Sequence, residues 1–218
     1  MRARIKVSLL EKSWFTRRAC ERRAGRVIMS VLIQTEKSRL IVVEEYTNDI
    51  YDEVKTLLVD KQPIIYIMGK ECRQRRDVGF YSNQSKGYKY SGAFMASRPL
   101  TPFLADLLEQ VNQSLQTNFN GILVNIYRSG EDYLSAHSDN EDALDKERRM
   151  VAGLAYGATR KFRIRNKETR KIILDIEQEP GTLIVMEGDF QTEFLHEIPV
   201  QKRIKEERIS LTFRHHLE

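Results

Sequence analysis

Asn125-Ile126-Tyr127-Arg128-Ser129-Gly130-Glu131-Asp132-Tyr133-Leu134-Ser135-Ala136-His137-Ser138-Asp139-Asn140-Glu141 reads as strand, glycine turn and strand, and the second strand runs into a His-X-Asp pair. Side chains two positions apart in an extended chain project from one face, so His137 and Asp139 can reach one ion together. Asn125 and Tyr127 share a face of their own strand in the same way, with Val124 and Ile126 on the other. A third ligand has to come from elsewhere in the chain.

Downstream, the pattern predicts further strands at about 151–156, 161–165, 171–176, 182–186 and 207–214, following those at 122–128 and 133–138. Gly130, Gly157, Pro180-Gly181 and Gly188-Asp189 punctuate them. Many short strands at this spacing predict an antiparallel sandwich or barrel. Upstream, Thr101-Pro102 opens a helix with Leu104, Leu107, Leu108, Val111 and Leu115 on one stripe. A second helical pattern starts at Thr47-Asn48-Asp49, carries Ile50, Val54, Leu57 and Leu58, and ends before Pro63. A short strand is expected at 64–68. The fold class is therefore α+β: an antiparallel β core with supporting N-terminal helices.

With 218 residues, 41% hydrophobic and 31% charged, the chain can bury a core without disulfides. The net charge of +5 belongs to the opening, where residues 1–29 hold nine Lys or Arg against Glu11 and Glu21. The remainder is slightly acidic, so global basicity is no sign that the body grips phosphate. Residues 1–45 read as a basic arm followed by a strand or two. The arm either tracks a phosphate backbone or is a solvated tail, and the tail is the commoner case. Cys20 and Cys72 imply neither a disulfide framework nor a cysteine zinc site. With no apolar run of membrane-spanning length and no apolar signal stretch at the start, an intracellular location, cytoplasmic or nuclear, is expected. No oligomer signal is present, so a monomer is the default.

His196, in Phe194-Leu195-His196-Glu197-Ile198, sits on one more expected strand, and in a rolled-up sheet it can face His137 and Asp139. His215 and His216 abut the end of the chain and read as an exposed tail. Two histidines and one carboxylate leave the opposite positions of an ion open, as non-haem Fe(II) requires, although zinc hydrolases use similar sets. In Arg208-Ile209-Ser210-Leu211-Thr212-Phe213-Arg214, alternation puts Arg208, Ser210, Thr212 and Arg214 on one face. That face is either solvated or a receptor for a small dicarboxylate, since guanidinium binds carboxylate through two parallel hydrogen bonds.

Taken together, N-x-Y, H-x-D, a distant His and R-x-S-L-T-F-R, in this order and spacing, resemble the AlkB-like Fe(II)/2-oxoglutarate dioxygenases, the oxidative nucleobase demethylases. The resemblance covers roughly residues 60–214. It implies a double-stranded β-helix (jelly roll) holding Fe(II) on His137, Asp139 and His196. It also implies 2-oxoglutarate bound by Asn125, Tyr127, Arg208, Ser210, Thr212 and Arg214. Ser210 stands where the family's motif more often has Asn, which keeps a polar contact with a shorter side chain. On this resemblance residues 1–45 are a basic arm and strand segment, 46–119 a helical support with a nucleotide-recognition lid, and 120–216 the catalytic core. Residues 46–216 then form one dioxygenase domain.

The same resemblance implies that oxygen and 2-oxoglutarate react at iron to give succinate, carbon dioxide and an oxidant that hydroxylates an N-methyl group, which leaves as formaldehyde. The partner implied is methylated DNA or RNA. Tyr88 and Tyr90 match the family's base-contacting positions, Glu141 its acidic base-recognition position and Arg165 an arginine near the site; Asn140 is a further substrate candidate. A base leaving its stack needs aromatic neighbours in exchange. From the residues alone, Tyr88 and Tyr90 are equally one face of a core-packing strand. Arg73, Arg75, Arg76, Phe80 and Tyr81 are lid candidates, with the two aromatics expected in an exposed, glycine-bounded loop. Two other functions compete: a related dioxygenase hydroxylating a protein or small molecule, and a non-catalytic nucleic-acid-binding β-domain.

Overall fold

The computed structural model describes residues 8–9, 28–139 and 150–217, leaving aside the side chains of 8, 9, 88 and 89. Its strands, in chain order, begin with β1 (Ser8–Leu9), β2 (Met29–Gln34) and β3 (Ser38–Val43), followed by the four-residue helix α1 (Tyr51–Val54). Next come β4 (Ile64–Ile67), β5 (Lys70–Arg73), β6 (Asp77–Tyr81), β7 (Gly87–Tyr90), β8 (Ala93–Ala96) and helix α2 (Pro102–Leu115). The second half holds β9 (Gly121–Tyr127), β10 (Leu134–His137), β11 (Val151–Gly157), β12 (Arg160–Asn166), β13 (Ile172–Gln178) and β14 (Leu183–Gly188). Helix α3 (Phe190–Glu193), β15 (Phe194–Ile198) and β16 (Arg208–Arg214) complete it.

A large sheet has the order β1-β2-β3-β14-β11-β16-β9-β6 and a small one the order β10-β15-β12-β13, while β4-β5 and β7-β8 are separate hairpins. Every pairing of these strands is antiparallel. Alternation sets the layers. Ile209, Leu211 and Phe213 of β16 join Ile122, Val124 and Ile126 of β9 and the α2 stripe Leu104, Leu107, Leu108 and Val111 in one buried cluster. The opposite face of the large sheet packs Val151, Ile184 and Met186 against Ile164, Ile176 and Phe194 of the small sheet. Central strands buried on both faces read as near-continuous apolar runs, as β9 does.

Helix α2 follows its sequence signals. Thr101 accepts from the Leu104 N–H at 3.2 Å, Pro102 occupies the first turn, and the helix ends at Gln116 in the left-handed region. Asn112 then takes the Phe119 N–H at 2.7 Å and donates to the Phe119 carbonyl, which turns the chain into β9.

Three expectations are corrected. The helix expected from Thr47 to Pro63 shrinks to Tyr51–Val54, because Val54 and Leu57 find the core while Leu58 is 72% exposed. Phe80 and Tyr81 lie in no exposed loop: β6 pairs with β9, and both rings are buried. His216 is no exposed tail either. It is buried against Phe80 at 4.6 Å, and Asn120 holds its main chain through both N–H and carbonyl. No described helix is long and apolar enough to cross a membrane.

Candidate active site

A bulge in β10 aims the first ligand. Leu134 pairs with Ile198 and His137 with His196, so β10 carries one residue more than β15 between the two pairs. In a regular strand Leu134 and His137, three apart, would face opposite sides; the extra residue lets both line the cleft between the sheets. The bulge also frees the Ser135 carbonyl, which accepts from His137 Nδ1 at 2.9 Å. A carbonyl can only accept, so Nδ1 carries the proton and Nε2 presents its lone pair.

His137 Nε2 lies 3.4 Å from Asp139 Oδ1, and His196 Nε2 lies 3.8 Å from Asp139 Oδ2. One ligand atom from each of the three residues falls within 4.8 Å of the other two. His196 Nδ1 is buried without an acceptor among the described residues, and Phe162 stacks on that ring at 5.3 Å and 15°. Asp139 lies just past β10 in a bend held by Gln191 of α3, whose Oε1 accepts its N–H at 2.9 Å.

Electrostatics keep the cluster ready for a cation. Burial alone would raise the Asp139 carboxyl, but Arg214 at 2.6 Å, then His196 and His137, hold it well below the usual carboxylate range. Burial, reinforced by His137, pushes His196 down to about 3. Near neutrality this leaves an ionised carboxylate beside a neutral imidazole, the protonation state in which both ligate. Asp139 Oδ2 is buried without a hydrogen-bond donor among the described residues. A bare buried carboxylate oxygen facing imidazole nitrogens fits a divalent cation.

The second half of the cleft belongs to β9 and β16, where Tyr127 stands opposite Arg208 and Asn125 opposite Ser210. Asn125, Tyr127, Arg208, Ser210, Thr212 and Arg214 all line the same cleft as the three ligands. Gly153, opposite Thr212, has no atom within 4 Å of where a Cβ would stand, so the floor stays open. Arg208 is 2% exposed; its Nη2 donates to Gln178 Oε1 at 2.7 Å and its guanidinium lies 5.3 Å from the Tyr127 ring centre. Nε and Nη1 are buried with no hydrogen-bond partner among the described residues. Burial pushes this guanidinium down to about 10, so it stays charged at neutral pH. Two unsatisfied donors on a buried cation are costly, and a carboxylate accepting both relieves that cost. The residues thus fit a dicarboxylate as well as a metal.

At the mouth, Tyr90 lies under the Arg76 guanidinium at 5.7 Å, and Arg76 Nε donates to Asn125 Oδ1 at 2.7 Å. Tyr88 shares β7 with Tyr90, but its side chain lies outside the described residues, as do Asn140 and Glu141. Arg165 is not brought to the cleft. Strand alternation turns it to the outer face of the small sheet, where it pairs with Glu197 at 2.8 Å and donates to the Arg170 carbonyl. Gln178, Phe162 and Gln191 were missed in the sequence. A polar residue at an inward strand position was the only signal for Gln178; the other two gave none.

The profile of the 2OG-Fe(II) oxygenase superfamily matches residues 42–214, and the chain belongs to that superfamily. Within it the likeness is to AlkB-type proteins. The chain is 36% identical over 140 residues to the alpha-ketoglutarate-dependent dioxygenase alkB homolog 3 of Bos taurus, covering 58% of this chain and 47% of the relative. It is 27% identical over 157 residues to the DNA oxidative demethylase ALKBH2 of the same species, covering 69% and 56%. The matches therefore span about half the length of these curated relatives. The solved structure of OsALKBH1 superposes with a TM-score of 0.54 at 15% identity, covering 84% of this chain and 99% of that one, a likeness of fold.

Proposed function

We propose that the chain is an Fe(II)- and 2-oxoglutarate-dependent oxidative demethylase of N-alkylated nucleobases, of the 1-methyladenine or 3-methylcytosine type, in DNA or RNA. One observation carries the proposal: a two-histidine, one-carboxylate cluster shares its cleft with a buried arginine whose Nε and Nη1 have no hydrogen-bond partner among the described residues. Zinc hydrolysis needs the first and has no use for the second. On this reading the two sheets are the halves of a double-stranded β-helix. Residues 46–216 are one dioxygenase domain, preceded by the arm and strand segment 1–45. The protein works as a monomer inside the cell, in cytoplasm or nucleus.

His137, Asp139 and His196 would hold the iron, which would supply oxygen activation coupled to oxidation of 2-oxoglutarate to succinate and carbon dioxide, with the substrate methyl released as formaldehyde. The chain's own residues do the rest. Arg208 neutralises the distal carboxylate of 2-oxoglutarate through Nε and Nη1, while Asn125, Tyr127, Ser210 and Thr212 orient the molecule. Arg214 balances the Asp139 charge, and Phe162 and Met186 keep water from the cluster. Tyr90, backed by the buried Arg76 guanidinium, offers a flat face to the extruded base, and Tyr88, two positions away on β7, is a further candidate. Asn140 and Glu141 lie close in sequence to the ligand Asp139, and Glu141 accepts from an exocyclic amine or offsets a cationic methylated base. Arg165 is left out, since its guanidinium is committed to Glu197.

A polymeric, stacking substrate is favoured over a small molecule by exposed apolar side chains next to the mouth. Met68 at the β4–β5 turn is 97% exposed, with Tyr66, Ile67 and Phe94 48–65% exposed nearby, and the Tyr66 N–H bonds to the Ser91 carbonyl beside Tyr90. Protein loaded anaerobically with Fe(II) and given 2-oxoglutarate and oxygen is expected to release formaldehyde and succinate from methylated single- or double-stranded DNA or RNA, and His137→Ala to abolish this. Iron-loaded protein that demethylates none of these substrates refutes the nucleobase reading. Demethylation untouched by His137→Ala refutes the site.

A further inference from the structure

Arg160 is fully buried, at 0% exposed, yet does not line the cleft. On β12 it stands opposite Gln178, the residue that grips Arg208. Its donors serve the main chain of two separate segments. Nη1 reaches the Ser129 carbonyl at 2.9 Å, and Nη2 reaches the carbonyls of Asp132 at 2.9 Å and Pro199 at 2.8 Å. Nε donates to Gln201 Oε1 at 3.2 Å. Ser129 and Asp132 form the turn leading into β10 and His137; Pro199 and Gln201 leave β15 just after His196.

The two segments also meet directly. Gly130 donates to the Ile204 carbonyl at 2.9 Å and accepts from the Gln201 N–H at 2.8 Å. A Cβ on Gly130 would fall 1.9 Å from the Gln201 carbonyl oxygen, so only glycine permits this approach. A buried charge is an expensive way to gain stability, because an apolar side chain of similar volume does as well or better. What the rigid guanidinium fork adds is direction: it fixes where several acceptors stand relative to one another.

We propose that Arg160 is a positioning residue that sets the separation and register of β10 and β15 where His137 and His196 face each other, and hence the bite of the two imidazoles on the cation. This rests on the reading of the cluster as a metal site. The test is Co(II) titration of the full chain, followed by visible ligand-field absorption alongside thermal melting, for wild type, Arg160→Lys and Val111→Ala. Val111, on the buried face of α2 and not among the residues lining the cleft, supplies a destabilised control.

Arg160→Lys is expected to weaken Co(II) binding about tenfold or more, the usual effect of losing an outer support of a metal ligand, and to alter the band shape. Val111→Ala, with a comparable fall in melting temperature, is expected to bind as wild type does. Wild-type binding and spectrum in Arg160→Lys, or losses in both variants that merely follow the melting temperature, overturn the proposal. Wild-type protein that takes up no Co(II) overturns the metal reading and the proposal with it. If Arg160→Lys does not fold, Gln201→Ala decides: weakened binding with an altered spectrum supports the proposal, and unchanged binding refutes it.

Discussion

Gln178 reaches across from the small sheet to Arg208 on the large one, and its amide donates back to the carbonyls of Gly153 and Thr182. The arginine is therefore fixed before any co-substrate arrives. Arg208→Ala is expected to weaken 2-oxoglutarate binding by about 2–3 kcal/mol, roughly 30- to 150-fold, as removal of a charged two-point contact does. Gln178→Ala, which leaves the charge but not its aim, is expected to raise the 2-oxoglutarate KM about tenfold with kcat nearly kept. Steady-state kinetics in 2-oxoglutarate distinguish the two, and equal loss of kcat in Gln178→Ala speaks against an aiming role. At this scale the lining face of β16 was readable, because period-two alternation fixes which side chains share a face. Gln178 and Phe162 were not, because their roles depend on distances between sheets that no local pattern encodes. His216 misled because a terminal histidine usually faces water, whereas Asn120 fastens its main chain.

Among elements, β10 shows how far one residue matters. Deleting Ala136 removes the extra residue and leaves Leu134 and His137 two apart in a regular strand, so His137 keeps its facing but loses the bulge geometry that presents the Ser135 carbonyl to its Nδ1. Metal uptake is expected to weaken while far-ultraviolet circular dichroism stays near native, and affinity unchanged by the deletion refutes the role given to the bulge. Its leading turn carries a pH-sensitive clasp. Burial alone would raise the Asp132 carboxyl, but Arg128, through Nε and Nη2 at 2.8 Å each and its N–H at 3.0 Å, holds it below the ordinary value. A lowered native pKa gives stability that is present above the unfolded value of about 4 and lost as pH falls through the native one. Asp132→Asn is therefore expected to lower the melting temperature at pH 7 and flatten its fall below about pH 4. Helix α2 was legible from cap, proline and leucine stripe, and Leu104→Ala is expected to cost about 2–5 kcal/mol on denaturant unfolding. The segment after Thr47 had the helical period but lacked a continuous face to bury, so the core took Val54 and Leu57 while the helix stops after one turn.

For the whole molecule, metal and co-substrate binding adds to folding stability by linkage. Ligand at a hundredfold excess over its Kd contributes about 2.7 kcal/mol, or roughly 5–10 °C in melting temperature for a chain of this size. Mn(II) with 2-oxoglutarate is expected to produce such a shift in the wild type and none in His137→Ala, and chelation to reverse it. The antiparallel β class was legible from the run of short strands and turns, whereas the order of strands was not, since neighbours in the large sheet come from distant parts of the sequence. Gly121 lies opposite Arg214, and Ser38 opposite Gly188. That long-range pairing bears on how the protein is made. Sheets closed by distant strands form late and slowly, and until β16 leaves the ribosome β9 has no Arg208, Ser210, Thr212 or Arg214 beside it. A nascent chain can offer iron two histidines and an aspartate before the cup is complete, so it is the co-substrate, and with it the coupled use of oxygen, that waits for β16.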